Sequence, residues 1–219
     1  MKKAFLLCFL AFICIEGFSQ KIRLGLKLAP GVAFSRTNET NDTLSYKGKG
    51  IGVRFLVGPE INFVLGENYV FTTGLWYMSK RAALKIKELD LSQVYNLQYL
   101  QFPAILKLYT NDIAVDTRLY FQLGGTADIR LQQKGKDIKE LEKYVDKFRI
   151  YDFSALLGAG LQFQMGQNTY IYGGVTYLRG LMNSISKIKP IITSKGISLS
   201  TDKFQLKNDL LGLDIGIRF

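Results

Sequence analysis

Along most of the chain, apolar and polar residues alternate with a period of two, as in a strand whose two faces meet different surroundings. Residues 118–131 carry the pattern most cleanly. Leu119, Phe121, Leu123, Gly125, Ala127, Ile129 and Leu131 share one face, and Arg118, Tyr120, Gln122, Gly124, Thr126, Asp128 and Arg130 the other. Residues 211–219 repeat it, with Leu211, Leu213, Ile215, Ile217 and Phe219 opposite Gly212, Asp214, Gly216 and Arg218. Residues 22–34 set Ile22, Leu24, Leu26, Leu28, Val32 and Phe34 against Arg23, Gly25, Lys27, Gly31 and Ala33. In 51–65, Ile51, Val53, Phe55, Val57, Ile61, Phe63 and Leu65 oppose Gly52, Arg54, Glu60 and Asn62, with Leu56 and Val64 as exceptions. Residues 153–165 follow suit, and 69–78, 94–109 and 170–181 are three less tidy strands, so the pattern predicts eight.

The connections alternate in length, which is an independent signal. Residues 66–68, 110–116 and 166–169 are short and rich in Gly, Asn and Asp, as tight hairpins require. Residues 35–48, 79–93, 132–150 and 182–202 are long and charged. Short turns on one rim and long loops on the other are the layout of an outer-membrane barrel, the short turns being periplasmic. Within 137–148, Ile138, Leu141, Val145 and Phe148 recur three or four apart, a spacing that fits either a short amphipathic helix on the rim or an ordinary solvated loop. Aromatic residues gather near the predicted strand ends, with Tyr69, Phe71, Tyr109, Tyr170, Tyr172 and Phe219 below and Phe34, Tyr77, Tyr95, Tyr99, Tyr151 and Tyr177 above. Such girdles suit bilayer interfaces.

A soluble lipocalin-like barrel also alternates, but turns its apolar face inward. Here one face is uniformly bulky, while the other mixes Gly, Ala and Ser with Arg, Lys, Glu, Asp and Gln, as a crowded lumen would. The expected fold is therefore an all-β, eight-stranded antiparallel transmembrane up-and-down barrel with short periplasmic turns and long extracellular loops. An interior of that size is just filled by side chains. Arg54, Lys107, Arg118, Arg130 and Arg218 are expected to pair with Glu60, Asp128, Asp152 and Asp214 across it, leaving no open channel.

The N-terminus supplies an address. Lys2 and Lys3 precede an unbroken apolar run over 4–15, and Gly17 and Ser19 occupy the positions a signal peptidase inspects. Residues 1–19 are thus expected to be a signal peptide cleaved before Gln20, and 20–219 a single barrel domain. An apolar run of that length falls well short of the ~20 residues a spanning helix needs. Cys8 and Cys14 both lie in the signal, so no disulfide or thiolate chemistry is expected in the mature chain. An exported chain without a spanning helix can still enter a bilayer as a closed barrel, because closure pairs every backbone polar group internally.

Composition narrows function further. The chain contains no histidine, which removes Ser-His-Asp and Cys-His catalysis and imidazole metal sites. Gly48-Lys49-Gly50 lacks the following helix and the Lys-Ser/Thr of a phosphate-cradling loop. No enzyme activity, metal or cofactor is expected. The net charge of +11 becomes +10 once Lys2, Lys3 and Glu16 leave with the signal. Much of it sits in the long loops: Lys80, Arg81, Lys85 and Lys87 in the second, and Lys134, Lys136, Lys139, Lys143, Lys147 and Arg149 in the third. An outer-membrane address excludes nucleic acid as the partner of these cations. The third-loop residues are candidate contacts for the phosphates of lipopolysaccharide, with a merely solvated loop surface as the competing reading.

Residues 99–107, Tyr-Leu-Gln-Phe-Pro-Ala-Ile-Leu-Lys, resemble the Tyr-Leu-x-Ile-Pro segment of the PorT-type outer-membrane β-barrel family of Bacteroidota. Residues 157–163 and 177–183 resemble two further stretches of that family. Residues 210–219, closing on Phe219, resemble the terminal signal read by the barrel-insertion machinery. These motifs are structural and identify a class of barrel, not an activity. Three roles follow as expectations: a structural or interaction protein working through its extracellular loops, an accessory component of type IX secretion or gliding machinery, and a narrow solute pore.

Overall fold

The computed structural model describes residues 21–39, 46–48, 52–86, 91–136, 145–188 and 204–219, and all regular structure among them is β-strand. In chain order the strands are β1 (Lys21–Glu39), β2 (Tyr46–Gly48), β3 (Gly52–Val64), β4 (Tyr69–Gly74), β5 (Trp76–Ile86) and β6 (Leu91–Ala114). They continue as β7 (Thr117–Lys136), β8 (Val145–Phe148), β9 (Tyr151–Gln164), β10 (Tyr170–Gly180), β11 (Ile185–Ile188) and β12 (Phe204–Arg218). Neighbours in the main sheet follow the chain as a meander, and β1 pairs with both β3 and β12. That double pairing closes the sheet on itself. β4 and β5 both lie between β3 and β6 and are halves of one wall strand, interrupted at Leu75 after Gly74, whose φ is 156°. β2 only extends the ribbon along β5. The wall is thus an eight-stranded antiparallel barrel, as the alternation predicts.

Its faces sort as expected. Leu24, Leu26, Leu157 and Leu213 point outward and are 55–60% exposed, while Lys27, Glu60, Asp128 and Asp214 on the opposite face are at most 1% exposed. In water this arrangement would leave an apolar belt all round the barrel. In hydrocarbon it places every bulky side chain in its preferred solvent.

The structure departs from the sequence reading above the apolar belt. Pairing of β1 with β12 continues to Glu39 opposite Phe204, that of β5 with β6 to Ile86 opposite Leu91, and that of β6 with β7 to Val94 opposite Lys136. The long 79–93 connection is therefore mostly β-ribbon. Beyond the membrane both faces meet polar surroundings, so the alternation fades while the backbone ladder persists. Residues 145–148 form β8 and pair with β11, which replaces a helix at that end of 137–148; residues 137–144 lie outside the described residues, as does the predicted signal at 1–19. Phe148 is buried with its ring edge-on to Tyr95, so β8 and β11 sit over the upper mouth. At the lower rim, β6 runs on to Ala114 and turns tightly at 115–116, where Asp116 takes the left-handed φ of 54° that short polar residues tolerate.

Glycines on the lumenal face create the room that inward tyrosines fill. A Cβ built on Gly216 would lie 2.3 Å from the Tyr172 ring, and one on Gly160 would lie 2.7 Å from the Tyr120 ring. Gly216→Val is expected to push Tyr172 off its seat and to lower barrel stability by about 1–3 kcal/mol, the usual cost of overpacking. Urea unfolding in lipid vesicles, followed by the gel mobility of unboiled samples, measures it. Val at the open position Gly173, which meets nothing within 4 Å, serves as the neutral control.

Candidate functional site

The lumen is built in layers, each set by the inward positions of successive strands. Lowest is an open mouth at the short-turn rim, and above it lies a first layer of charge. In that layer Lys27 Nζ lies 2.6 Å from Asp214 and Lys107 Nζ lies 3.3 Å from Glu60. Tyr120 donates to Asp214 at 3.1 Å, Tyr172 donates to Glu60 at 2.9 Å, and Gln122 Nε2 donates to Asp214 at 2.5 Å. A second layer of charge lies higher, where Lys80 Nζ bridges Asp128 at 2.6 Å and Asp152 at 3.0 Å. Gln101 donates to the other oxygen of Asp128 at 2.9 Å.

Between the two charge layers the lumen is mainly apolar, with the hydroxyls of Thr126, Ser154 and Thr176 buried beside it. Ala29, Leu56, Trp76, Met78, Ile105, Leu156, Leu178 and Leu210 belong to one buried cluster drawn from strands all round the wall. The buried lysines share a single design. Lys27 lies 4.8 Å from the centroid of Trp76, Lys80 lies 4.6 Å from that of Tyr99 and Lys107 lies 4.5 Å from that of Tyr172. Each ammonium thus has a carboxylate on one side and an aromatic face on another, two attractions that strengthen where water is excluded.

Of the charges expected in the lumen, Glu60, Lys107, Asp128, Asp152, Asp214 and Arg218 are buried inside it. Three others lie elsewhere. Arg118 sits at the lower rim, paired with Asp112 at 2.6 Å where both are solvent-accessible, because β7 begins at Thr117 and its first inward position falls below the filled layers. Arg130 is at the upper rim, donating to Gln133 at 3.0 Å and to the Phe148 carbonyl, and so ties β7 to the cap. Arg54 reaches Asn96 at 2.5 Å on the extracellular extension of β6. The girdle expectation also divides. Tyr69, Tyr151 and Phe219 lie exposed on the outer face, whereas Tyr95, Tyr99, Tyr109 and Tyr172 are buried in the lumen.

Sequence reasoning missed Lys80, which it placed in a loop, and left Lys27 without a partner. Continuing the two-residue step from Trp76 through Met78 would have brought Lys80 inside. A third omission is on the outer surface at the closing seam. There Arg36 donates to both oxygens of Asp209, at 2.6 and 2.9 Å, and Asp209 also accepts from the Tyr177 hydroxyl at 2.7 Å and the Gly180 amide at 3.1 Å. This cluster crosses β1, β12 and β10 and marks the upper edge of the apolar belt. The basic third-loop positions divide between the two rim elements. Lys134 and Lys136 are on the upper end of β7, Lys147 is on β8, Arg149 follows it and is exposed, and Lys139 and Lys143 lie outside the described residues.

Removing Lys80 strands two buried carboxylates. Lys80→Met is expected to destabilise the barrel by about 3–5 kcal/mol, the range for breaking a buried ion pair. Lys80→Met combined with Asp128→Asn and Asp152→Asn is expected to recover at least half of that loss. Equilibrium unfolding of the two variants in the same lipid measures the difference, and equal losses would refute the pairing as the cause.

A solved structure shares this architecture. The outer membrane protein OprG from Pseudomonas aeruginosa superposes with a TM-score of 0.54 at 11% identity, covering 90% of this chain and 94% of its own. Neisserial surface protein A superposes with a TM-score of 0.48 at 9% identity, covering 92% of this chain and 98% of its own. No curated protein matches the sequence. Residues 18–186 match the family described as the outer membrane protein beta-barrel domain, and with most of the chain matched and the barrel closed around it, this protein belongs to that family and to the outer membrane.

Proposed function

We propose that this protein is a non-enzymatic, non-conducting outer-membrane barrel that acts through its extracellular rim. The observation that supports this reading is how side chains fill the lumen. An apolar layer containing Leu56, Trp76, Ile105 and Leu210 lies between two layers of paired charge. An ion moving through it would have to leave water for a layer lined mainly by aliphatic and aromatic side chains, with few polar groups to replace its hydration. The absence of histidine argues against the commonest hydrolytic chemistry.

The upper rim offers the complementary surface. A groove of about 720 Å³ is lined by Arg130, Arg149, Ile150, Tyr151 and Met182, among others. Cations beside exposed apolar and aromatic side chains suit an acylated phosphate, which favours lipopolysaccharide as the surface this rim meets. Lys134, Lys136 and Lys147 extend the same rim, and Lys139 and Lys143 fall between them in sequence. Among outer-membrane barrels we read the chain as PorT-type, on the motif at residues 99–107 in β6, and an accessory role in type IX secretion or gliding follows from that likeness alone. During assembly Phe219, exposed on the outer face with its amide donating to Leu24 at 2.8 Å, is the residue we assign to recognition by the insertion machinery.

Two measurements test this. Purified protein in planar bilayers is expected to give no steady conductance, and reproducible single-channel steps would overturn the closed-lumen reading in favour of a narrow pore. Replacing Lys134, Lys136, Lys139, Lys143, Lys147 and Arg149 with Gln is expected to lower stability in lipopolysaccharide by about 1 kcal/mol per cation, with no change in plain detergent. Equal stability of the two forms in both media would remove lipopolysaccharide as the partner.

A further inference from the structure

The lower mouth of the barrel is a cavity of about 760 Å³, in the size range of small-molecule sites. Its lining includes Arg23, Arg118 and Arg218 but only one acidic residue, Glu67. Arg118 is already matched by Asp112 at 2.6 Å. Arg23 and Arg218 are not matched, since neither makes a salt bridge among the described residues. Both instead lean on one ring: the guanidinium carbon of Arg23 is 4.5 Å from the Tyr170 centroid and that of Arg218 is 5.1 Å from it.

Arg218 is the more telling of the two. It is 2% exposed, yet its hydrogen bonds go only to neutral groups, the Tyr109 hydroxyl at 3.1 Å and the Gln162 side-chain carbonyl, and its Nε has no hydrogen-bond partner. A buried guanidinium ordinarily has a carboxylate beside it, as the lysines higher in this lumen all do. Here two cations share one aromatic ring, and the buried acids Glu60 and Asp214 are engaged by Lys107 and Lys27. A negative charge with several oxygens, presented from the open side, would complement both guanidinium groups.

We propose that this mouth is a binding site for a small oxyanion, phosphate or a phosphate ester, held by Arg218 and Arg23 and approached from the periplasm. Guanidinium forks match the oxygens of phosphate, and Tyr170 holds both forks in place before the ligand arrives. Gln162 and Gln164 line the same cavity and add neutral donors. The site is a dead end. Tyr120, Tyr172 and the Lys27–Asp214 and Lys107–Glu60 pairs lie above it, so binding here does not begin a passage through the barrel.

The probe is inorganic phosphate, then pyrophosphate, titrated by calorimetry into the full-length folded barrel in nanodiscs of neutral phosphatidylcholine. Saturable binding is expected, weakened at least tenfold by Arg218→Gln and by Arg23→Gln and less than threefold by Arg118→Gln. Arg23 is only partly buried, so its variant keeps the test informative if Arg218→Gln fails to fold, as judged by the gel shift of unboiled protein. Nanodiscs containing phosphatidylglycerol separate the two sources of the anion. Loss of phosphate binding there identifies a lipid headgroup as the occupant, and retention identifies a free periplasmic solute; both support the site. No saturable binding of either probe in neutral nanodiscs, or binding unchanged in the Arg23 and Arg218 variants, overturns the proposal.

Discussion

A strand edge left open in hydrocarbon exposes a row of unpaired amides and carbonyls, at several kcal/mol each, and the bilayer supplies nothing to pair them. The seam between β1 and β12 is where this chain meets that demand. The register there runs from Gly25 opposite Arg218 up to Glu39 opposite Phe204. Once the seam is shut, eight strands enclose an interior of fixed and small width, and the remaining choices concern what fills it.

What fills it is a stack of unlike layers. The charged layers solve a problem of their own, because small inward residues alone would leave voids and large apolar ones alone would make the inner face as sticky as the outer. Lysines laid across aromatic rings and tied to carboxylates are long enough to reach across the lumen, Lys27 and Lys107 with one carboxylate each and Lys80 shared by two. The apolar layer between them contains Trp76, the only tryptophan in the chain, with its ring against Lys27 below. Each face of the barrel thus has an identity from which a slipped register would pay heavily: a one-residue shift would put Lys27 or Asp214 into lipid.

Most of the wall was legible in the sequence because a two-faced strand must alternate. Residues 118–131 and 211–219 show it cleanly, since apart from Tyr120 their inward faces hold only small or polar groups. The untidy strands are untidy for a physical reason. Inward positions in 69–78, 94–109 and 170–181 hold Val70, Trp76, Met78, Ile105, Leu178 and several tyrosines, so both faces read as apolar and the period blurs. The same blurring ended the strand at Met78 and put Lys80 in solution. Charge pairing was legible in kind but not in detail, because partners such as Glu60 and Lys107 lie on strands that are not neighbours in the sheet, where cross-strand register gives no guide. The rim residues Arg54, Arg118 and Arg130 were misplaced because alternation reports which side of the wall a residue faces and says nothing of its height.

The closing seam and the lower charge layer have one more relation. Lys27 belongs to the first strand and Asp214 to the last, and their contact exists only when those strands lie side by side. During assembly each is therefore an uncompensated charge at membrane depth for as long as the sheet is open. Zipping the last hydrogen bonds and cancelling the last buried charges become the same event. A partly curled sheet lacks both at once.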